Sequence, residues 1–256
     1  MKISFLGAGR VAYHLAQTLQ AQHQIVQVYS RNFSHAEKLA QVVNAQAIDQ
    51  IANLNAQIDL LIIAVPDQAI AAVVQQLTAF SNVLLVHTSG STPLTIFPEN
   101  FQKTGVFYPL QTFSFERQIV WENTPLLLEA KHEADLSILH KLAKELTEKI
   151  YFYDSTQRLN LHLAAVFACN FSNYCYDMAY QIAQKQHIDF SLLFPLMTET
   201  LHKAQQYEPK IMQTGPAMRG DLNILNLHQQ LLEQNQQNDL KKVYELLSEQ
   251  ILQRHQ

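Results

Sequence analysis

The chain has only two cysteines among its 256 residues, Cys169 and Cys175. They lie six apart on an expected helix, where they point in different directions and cannot bridge. That excludes a disulfide framework, and both are expected to be reduced residues of the core or of a pocket wall. There is no Cys-x-x-Cys, and none of the eleven histidines forms an H-x-H, H-x-x-H or H-x-x-x-H pair. The spacings that mark structural and catalytic metal sites are missing, so no metal is expected. A basic stripe is missing too. The formal charge is −4, with 18 basic and 22 acidic residues mixed along the chain, which argues against nucleic acid and a membrane surface as partners. No apolar run approaches a membrane span, and the first residues already read as a strand with a motif, leaving no room for a signal peptide. A cytoplasmic protein acting on a small molecule is expected. Hydrophobic content of 48% is enough for one large domain or two modest ones.

What the chain does have begins at residue 7. The apolar run Ile3, Phe5, Leu6 gives way to Gly7-Ala8-Gly9-Arg10-Val11-Ala12, after which Val11, Leu15, Ala16 and Leu19 recur at helical spacing. A G-x-G-x-x-A turn between strand and helix is where a dinucleotide's pyrophosphate sits. Gly7 makes the tight turn, Gly9 lets backbone approach the phosphates, and a small Ala12 lets helix pack on strand. The phosphates then rest on unpaired N–H groups of the helix N-terminus. A purely structural turn and a methyl-donor nucleoside site remain the alternatives.

The next strand, Ile25 to Ser30, bears on which dinucleotide is bound. An NAD site carries Asp or Glu at its end for the ribose 2′-OH, whereas a 2′-phosphate suits arginine. Here Ser30-Arg31-Asn32 follows, with no acid until Glu37. Arg31 could stack on adenine or pair with the phosphate, helped by Ser30, or it could be a solvated loop residue. NADP is the expected cofactor.

The βα alternation continues. A helix over 34–43, a short strand near 45–48 and the doubly buried strand 59–65 are followed by a helix over 70–80 and a strand over 83–87. Strands over 105–113, 125–129 and 150–153, with a helix over 133–149, complete a sheet of about eight strands. From residue 155 only helical patterns remain, over 156–187, 189–207, 222–234 and 239–254. The expected fold is α/β, a Rossmann-type doubly wound and mainly parallel sheet over residues 1–153, followed by an all-helical domain over 154–256. Ligand sites in such sheets lie beyond the carboxyl ends of the strands, which places Val65-Pro66-Asp67 and His87-Thr88-Ser89-Gly90 on the functional edge.

A Rossmann domain joined by a very long helix to a helical domain resembles the superfamily of 6-phosphogluconate dehydrogenase, pyrroline-5-carboxylate reductase and ketopantoate reductase. Five blocks make the likeness more specific: Gly7 to Ala12, Ala64 to Asp67, His87 to Ser91, Tyr108 to Phe113, and Thr214 to Asp221. In order and across nearly the whole chain, they are similar to a bacterial NADP oxidoreductase family without a settled substrate. That family pairs a Rossmann-like domain with a C-terminal domain of unknown function. The resemblance implies a fold and a cofactor class rather than a reaction. It also implies a homodimer made through the helical domain, whose Thr214–Asp221 loop could complete the partner's cleft.

Hydroxyacid-dehydrogenase relatives place a lysine and an asparagine on the long helix at the reacting oxygen. Between Lys149 and Lys185 this chain has no lysine. His162 is the substitute proton carrier, with Asn170 eight residues on and roughly on the same helical face, and Asn173 three residues beyond. Both His162 and Asn170 could instead be hydrogen-bonded core residues. Substrate contacts are expected from Ser89, Gln111, Asn173 and Arg219, and cofactor contacts from Gly7, Ala8, Gly9, Arg10, Val11, Ser30, Arg31, Val65 and Pro66. For Ser89 the alternative is a helix cap, for Gln111 a bond to its own loop, and for Arg219 an ion pair with Asp221. His87 reads as structural because it continues a buried strand. The expected activity is hydride transfer between NADP(H) and a small, acidic carbonyl, imine or alcohol. A catalytically idle NADP-binding sensor or scaffold is the other reading.

Overall fold

In the computed structural model, which describes residues 1–256, the apolar runs of the first half form one eight-stranded sheet. The strands are β1 (Lys2–Leu6), β2 (Gln24–Tyr29), β3 (Gln46–Ile48), β4 (Leu60–Ile63), β5 (Leu84–His87), β6 (Thr104–Pro109), β7 (Leu126–Ala130) and β8 (Ile150–Phe152). Their order is β3-β2-β1-β4-β5-β6-β7-β8. The order reverses between β1 and β4, and a crevice at such a switch point is where open α/β sheets bind ligands. All neighbours pair parallel except β6 and β7. Parallel pairing needs a crossover, usually a helix. The segment between Pro109 and Leu126 holds only the 3-10 turn Trp121–Asn123, so β7 returns antiparallel.

Helices α1 (Arg10–Leu19), α2 (Phe33–Val42), α3 (Asp67–Val74) and α4 (Glu133–Lys144) cover the sheet. Successive strand residues face opposite sides. Ile3, Phe5, Leu60 and Ile62 pack with Leu15 of α1, Leu39 of α2 and Leu139 of α4. Leu61, Ile63 and Leu85 pack with Ile70 and Val74 of α3 on the other side. Each fully buried aliphatic side chain contributes about 1.5–3 kcal/mol, and all four residues of β4 are fully buried.

Beyond β8 the chain is helical. The elements are α5 (Ser155–Ala165), a π-helical segment Val166–Phe171, α6 (Ser172–Lys185), α7 (Phe194–Gln206), α8 (Pro216–Arg219), α9 (Leu222–Gln234) and α10 (Asn238–His255). α5 starts at a capping box, in which Asp154 accepts from the Gln157 N–H and the Gln157 side chain from the Asp154 N–H. The change of character therefore falls just after β8. The two compact units, Met1–Asn170 and Phe171–Gln256, divide further on, at the end of the π segment. In the second unit Ala217, Leu225, Leu232 and Leu240 are buried. His228 Nδ1 lies 2.9 Å from Tyr244 Oη, and the Lys185 ammonium donates to the Asn235 carbonyl. Cys169 and Cys175 are free and exposed, which corrects the expectation of core or pocket-wall positions: nothing in the chain covers the faces that carry them. No helix is long and apolar enough to cross a membrane.

Candidate active site

The glycine turn is built by sterics on one side and left open on the other. Gly7 has φ +117°, and a Cβ there would meet the Ala64 carbonyl oxygen at 2.2 Å. Only glycine lets the end of β4 pass so close. A Cβ on Gly9 would meet nothing within 4 Å, so the space above it belongs to no protein atom. α1 begins at Gly9 with no side-chain cap and no acid in its first turn. Its first N–H groups and the positive end of its dipole therefore stay available to an anion. Ala12 is fully buried beneath them.

These features border a cleft of about 900 Å³ in the first unit. Ala8, Gly9, Arg10 and Val11 line it, with His35 and Lys38 of α2, Ala64 to Asp67 after β4, Thr88 after β5, and Phe113 and Phe115. Six expected cofactor residues meet there: Ala8, Gly9, Arg10, Val11, Val65 and Pro66. Gly7 forms the turn beneath. Arg31 is exposed and does not line the cleft. Ser30 Oγ accepts from the Asn32 N–H at 3.2 Å, and Asn32 in turn caps α2. His35 and Lys38 were not singled out in the sequence, where a polar stretch on an amphipathic helix reads as a solvated face.

Past the Asp67 end of the cleft, a polar network ties the loop after β5 to α5. The Ser91 hydroxyl donates to Asp67 Oδ2 at 2.5 Å. Ser89 Oγ accepts from the N–H groups of Ser91 and Thr92 at 3.1 and 2.9 Å, a bond within its own loop rather than a helix cap, since the next helical turn begins after Pro93 with no side-chain cap. His87 is fully buried, stacks on Phe97 and accepts the Ser89 N–H at Nδ1. Burial, then the charge of Arg158, pushes its pKa down to about 3, so it stays neutral.

Arg158 is the largest fully buried side chain, and sequence reasoning missed it. It pairs with Glu129 of β7 and donates to the Thr92 carbonyl at 2.6 Å. Ser155 adds a bond to Glu129 at 2.9 Å and accepts the Leu94 N–H at 2.9 Å. The start of α5 is thereby pinned to β7 and to the loop after β5. One turn on, His162 Nδ1 lies 3.1 Å from Tyr108 Oη of β6. Tyr108 stays protonated, its pKa raised to about 12 by burial and by the nearby charge of Asp67.

The remaining expected residues lie apart. Asn170 is exposed in the π segment. Wider π winding brings eight residues closer to two full turns than α winding does, which turns Asn170 toward the azimuth of His162 while leaving it two turns away. Gln111 is exposed, with Oε1 accepting the Thr112 N–H and Nε2 3.4 Å from Thr124 Oγ1; it does not line the cleft. In the second unit Asn173 and Arg219 are exposed. Asp221 caps α9 by accepting the Ile224 N–H, and no Arg219–Asp221 ion pair forms.

Comparison with known proteins agrees with this architecture. Residues 2–90 match the family described as "NADP oxidoreductase coenzyme F420-dependent", and residues 124–251 match "Domain of unknown function (DUF2520)". A Bacteroides fragilis protein named "putative NADP oxidoreductase" is 38% identical, with 98% of each chain covered and a TM-score of 0.92. The chain belongs to this two-domain NADP oxidoreductase family. A Thermotoga maritima protein is 24% identical over 99% of this chain and 98% of its own, with a TM-score of 0.68. An imine reductase from Myxococcus stipitatus in complex with NADP+ is 15% identical over 99% and 92%, also with a TM-score of 0.68. These two share the fold. No curated protein matches the chain.

Proposed function

We propose that this family member is an NADP-dependent oxidoreductase that moves a hydride between NADP(H) and a small, acidic carbonyl, imine or alcohol. The observation that carries the reading is the open space over Gly9 at an uncapped helix start, set in a cleft of about 900 Å³. A pyrophosphate fits such a cradle. Backbone N–H groups of Gly9, Arg10 and Val11 hold it, and the adenosine phosphate is held by Arg31 and Ser30 together with Lys38, a cation on the cleft wall. Val65 and Pro66 flank the nicotinamide, which when bound supplies the redox chemistry. His162 manages the accompanying proton, and Asn170 and Asn173 supply amide contacts to substrate. Ser89 contributes through its hydroxyl proton, its oxygen being engaged locally, and Gln111 through the amide N–H that Thr124 leaves over. Arg219 is free to clamp an acidic group.

A homodimer through the helical domain belongs to the same proposal, supported by exposed apolar side chains on α7. The absence of lysine between Lys149 and Lys185 favours the second reading, a sensor or scaffold that binds NADP without turnover. Titration of purified protein with NADPH and NADH by intrinsic fluorescence, followed by a panel of α-keto acids and cyclic imines, separates the two. NADPH is expected to bind more tightly than NADH, and Arg31→Glu or Lys38→Glu to weaken NADPH about tenfold, roughly 1.4 kcal/mol, while sparing NADH. An unchanged preference in both variants removes the 2′-phosphate argument.

A further inference from the structure

Tyr108 of β6 and His162 of α5 do not line the cleft themselves, but Asp67, which does, lies near enough to Tyr108 for its charge to act on the phenol. The two rings meet nearly edge-on with centroids 6.1 Å apart. Gly90 is what lets them meet. A Cβ at Gly90 would lie 2.7 Å from His162 Nδ1 and 2.7 Å from Tyr108 Cζ, so any larger residue would displace one ring. Both residues are only partly buried, and the buried Arg158–Glu129 anchor holds α5 in place one turn earlier. The charges that act on Tyr108 are Asp67 at the start of α3 and Arg158 of α5, the latter paired with Glu129.

We propose that Tyr108 is the catalytic residue that hands the proton to the substrate's carbonyl oxygen or imine nitrogen, while His162 acts through it by replacing that proton. The proposal rests on the oxidoreductase reading. With His162 protonated, its Nδ1–H donates to Tyr108 Oη, and the phenol's own proton is free to point at substrate. In the reducing direction the substrate carbon accepts a hydride from the nicotinamide, which is oxidised. The Tyr108 O–H bond breaks, an O–H or N–H bond forms on the substrate, and the His162 proton moves to Oη. The imidazole left behind takes its next proton from solvent. The raised pKa of Tyr108 makes a free phenolate costly, so the phenol donates only as a second proton arrives. At 3.1 Å, His162 is placed to deliver it.

The test uses the full chain, with NADPH consumption on the keto-acid and imine panel and NADPH affinity measured separately. Tyr108→Phe is expected to lower kcat about 100-fold or more with NADPH affinity unchanged. His162→Gln is expected to lower kcat with NADPH affinity unchanged, and imidazole added to the solution to restore part of it. Wild-type kcat in Tyr108→Phe overturns the proposal and leaves the oxidoreductase reading standing. A wild-type protein that binds NADPH and reduces nothing on the panel overturns both. Should thermal melting show Tyr108→Phe unfolded, fluorotyrosine at position 108 keeps the ring and acidifies the phenol. A shifted pH profile then supports the proposal, and an unshifted one sinks it.

Discussion

The two units of this chain bury their apolar residues on different terms. In the sheet unit, alternate residues of β1, β4 and β5 disappear into clusters on both faces, because these central strands are packed against helices on either side. From α6 to α10, only Ala183, Ala217, Leu225, Leu232 and Leu240 are buried hydrophobic residues. Leu192 and Leu196 stay 71% and 63% exposed, and Phe194 and Leu201 are more than half exposed. The sequence patterns of both halves are amphipathic. The difference teaches that amphipathicity predicts an element, whereas the number of neighbours available decides whether its apolar face is covered. Exposed apolar surface on this scale supports the proposed homodimer contact.

Three experiments press on that comparison. The largest effect is expected in the sheet unit, at the ion pair that pins α5. Arg158→Ala leaves Glu129 facing a void without its counter-charge, and loss of one partner of a buried pair destabilises by about 3–5 kcal/mol. Urea unfolding of Arg158→Ala and of the Arg158→Met/Glu129→Leu double variant measures this. The double variant should recover much of the loss, and equal destabilisation of both would mean that Thr92 and Ser155, rather than the ion pair, hold the helix.

An acid limb of stability comes next, again from the sheet unit. His87 has its pKa lowered to about 3, while in the unfolded chain it titrates near 6.5. Between these values the unfolded state binds a proton that the folded state refuses. Stability therefore falls as pH drops through this window, by about 1.4 kcal/mol per pH unit from this group. His87→Asn keeps an acceptor for the Ser89 N–H and removes the titration. Its unfolding free energy should show a flatter slope between pH 6 and pH 4, about that range being accessible to denaturant melts.

The smallest effect on folding is expected in the helical unit. Leu192→Glu/Leu196→Glu replaces exposed apolar groups, so each chain should lose less than about 0.5 kcal/mol. Light scattering should nevertheless report loss of the proposed homodimer. An unchanged oligomeric state would show that α7 and the 3-10 turn Phe190–Leu193 before it do not form the contact.

Much of the fold was legible in the sequence. Strand and helix periods, the G-x-G-x-x-A turn, Asp221 as a helix cap and His87 as a buried strand residue all follow from local pattern. The antiparallel return of β7 was not legible, since it depends on the 110–125 segment lacking a crossover helix. Nor was the π segment, which changes the winding between His162 and Asn170 without any glycine or proline to announce it. At the site, His162 stood out as the titratable group on a long helix. Tyr108 was visible only as part of a resemblance block, and Arg158 looked like any helix-surface arginine.

By itself the sequence determined where the chain turns and which stretches repeat at strand or helix spacing, because backbone sterics and side-chain period act over a few residues. It also put a residue without Cβ at Gly9, while the packing around it decided that the space there stays open. Only the tertiary structure decided that Tyr108 meets His162 across 54 positions, that Arg158 finds Glu129 across 29, and that Lys38 lines the cleft while Arg31 does not. Those outcomes depend on strand order and helix packing. Such packing brings side chains from distant parts of the chain into contact, and no local spacing encodes that approach.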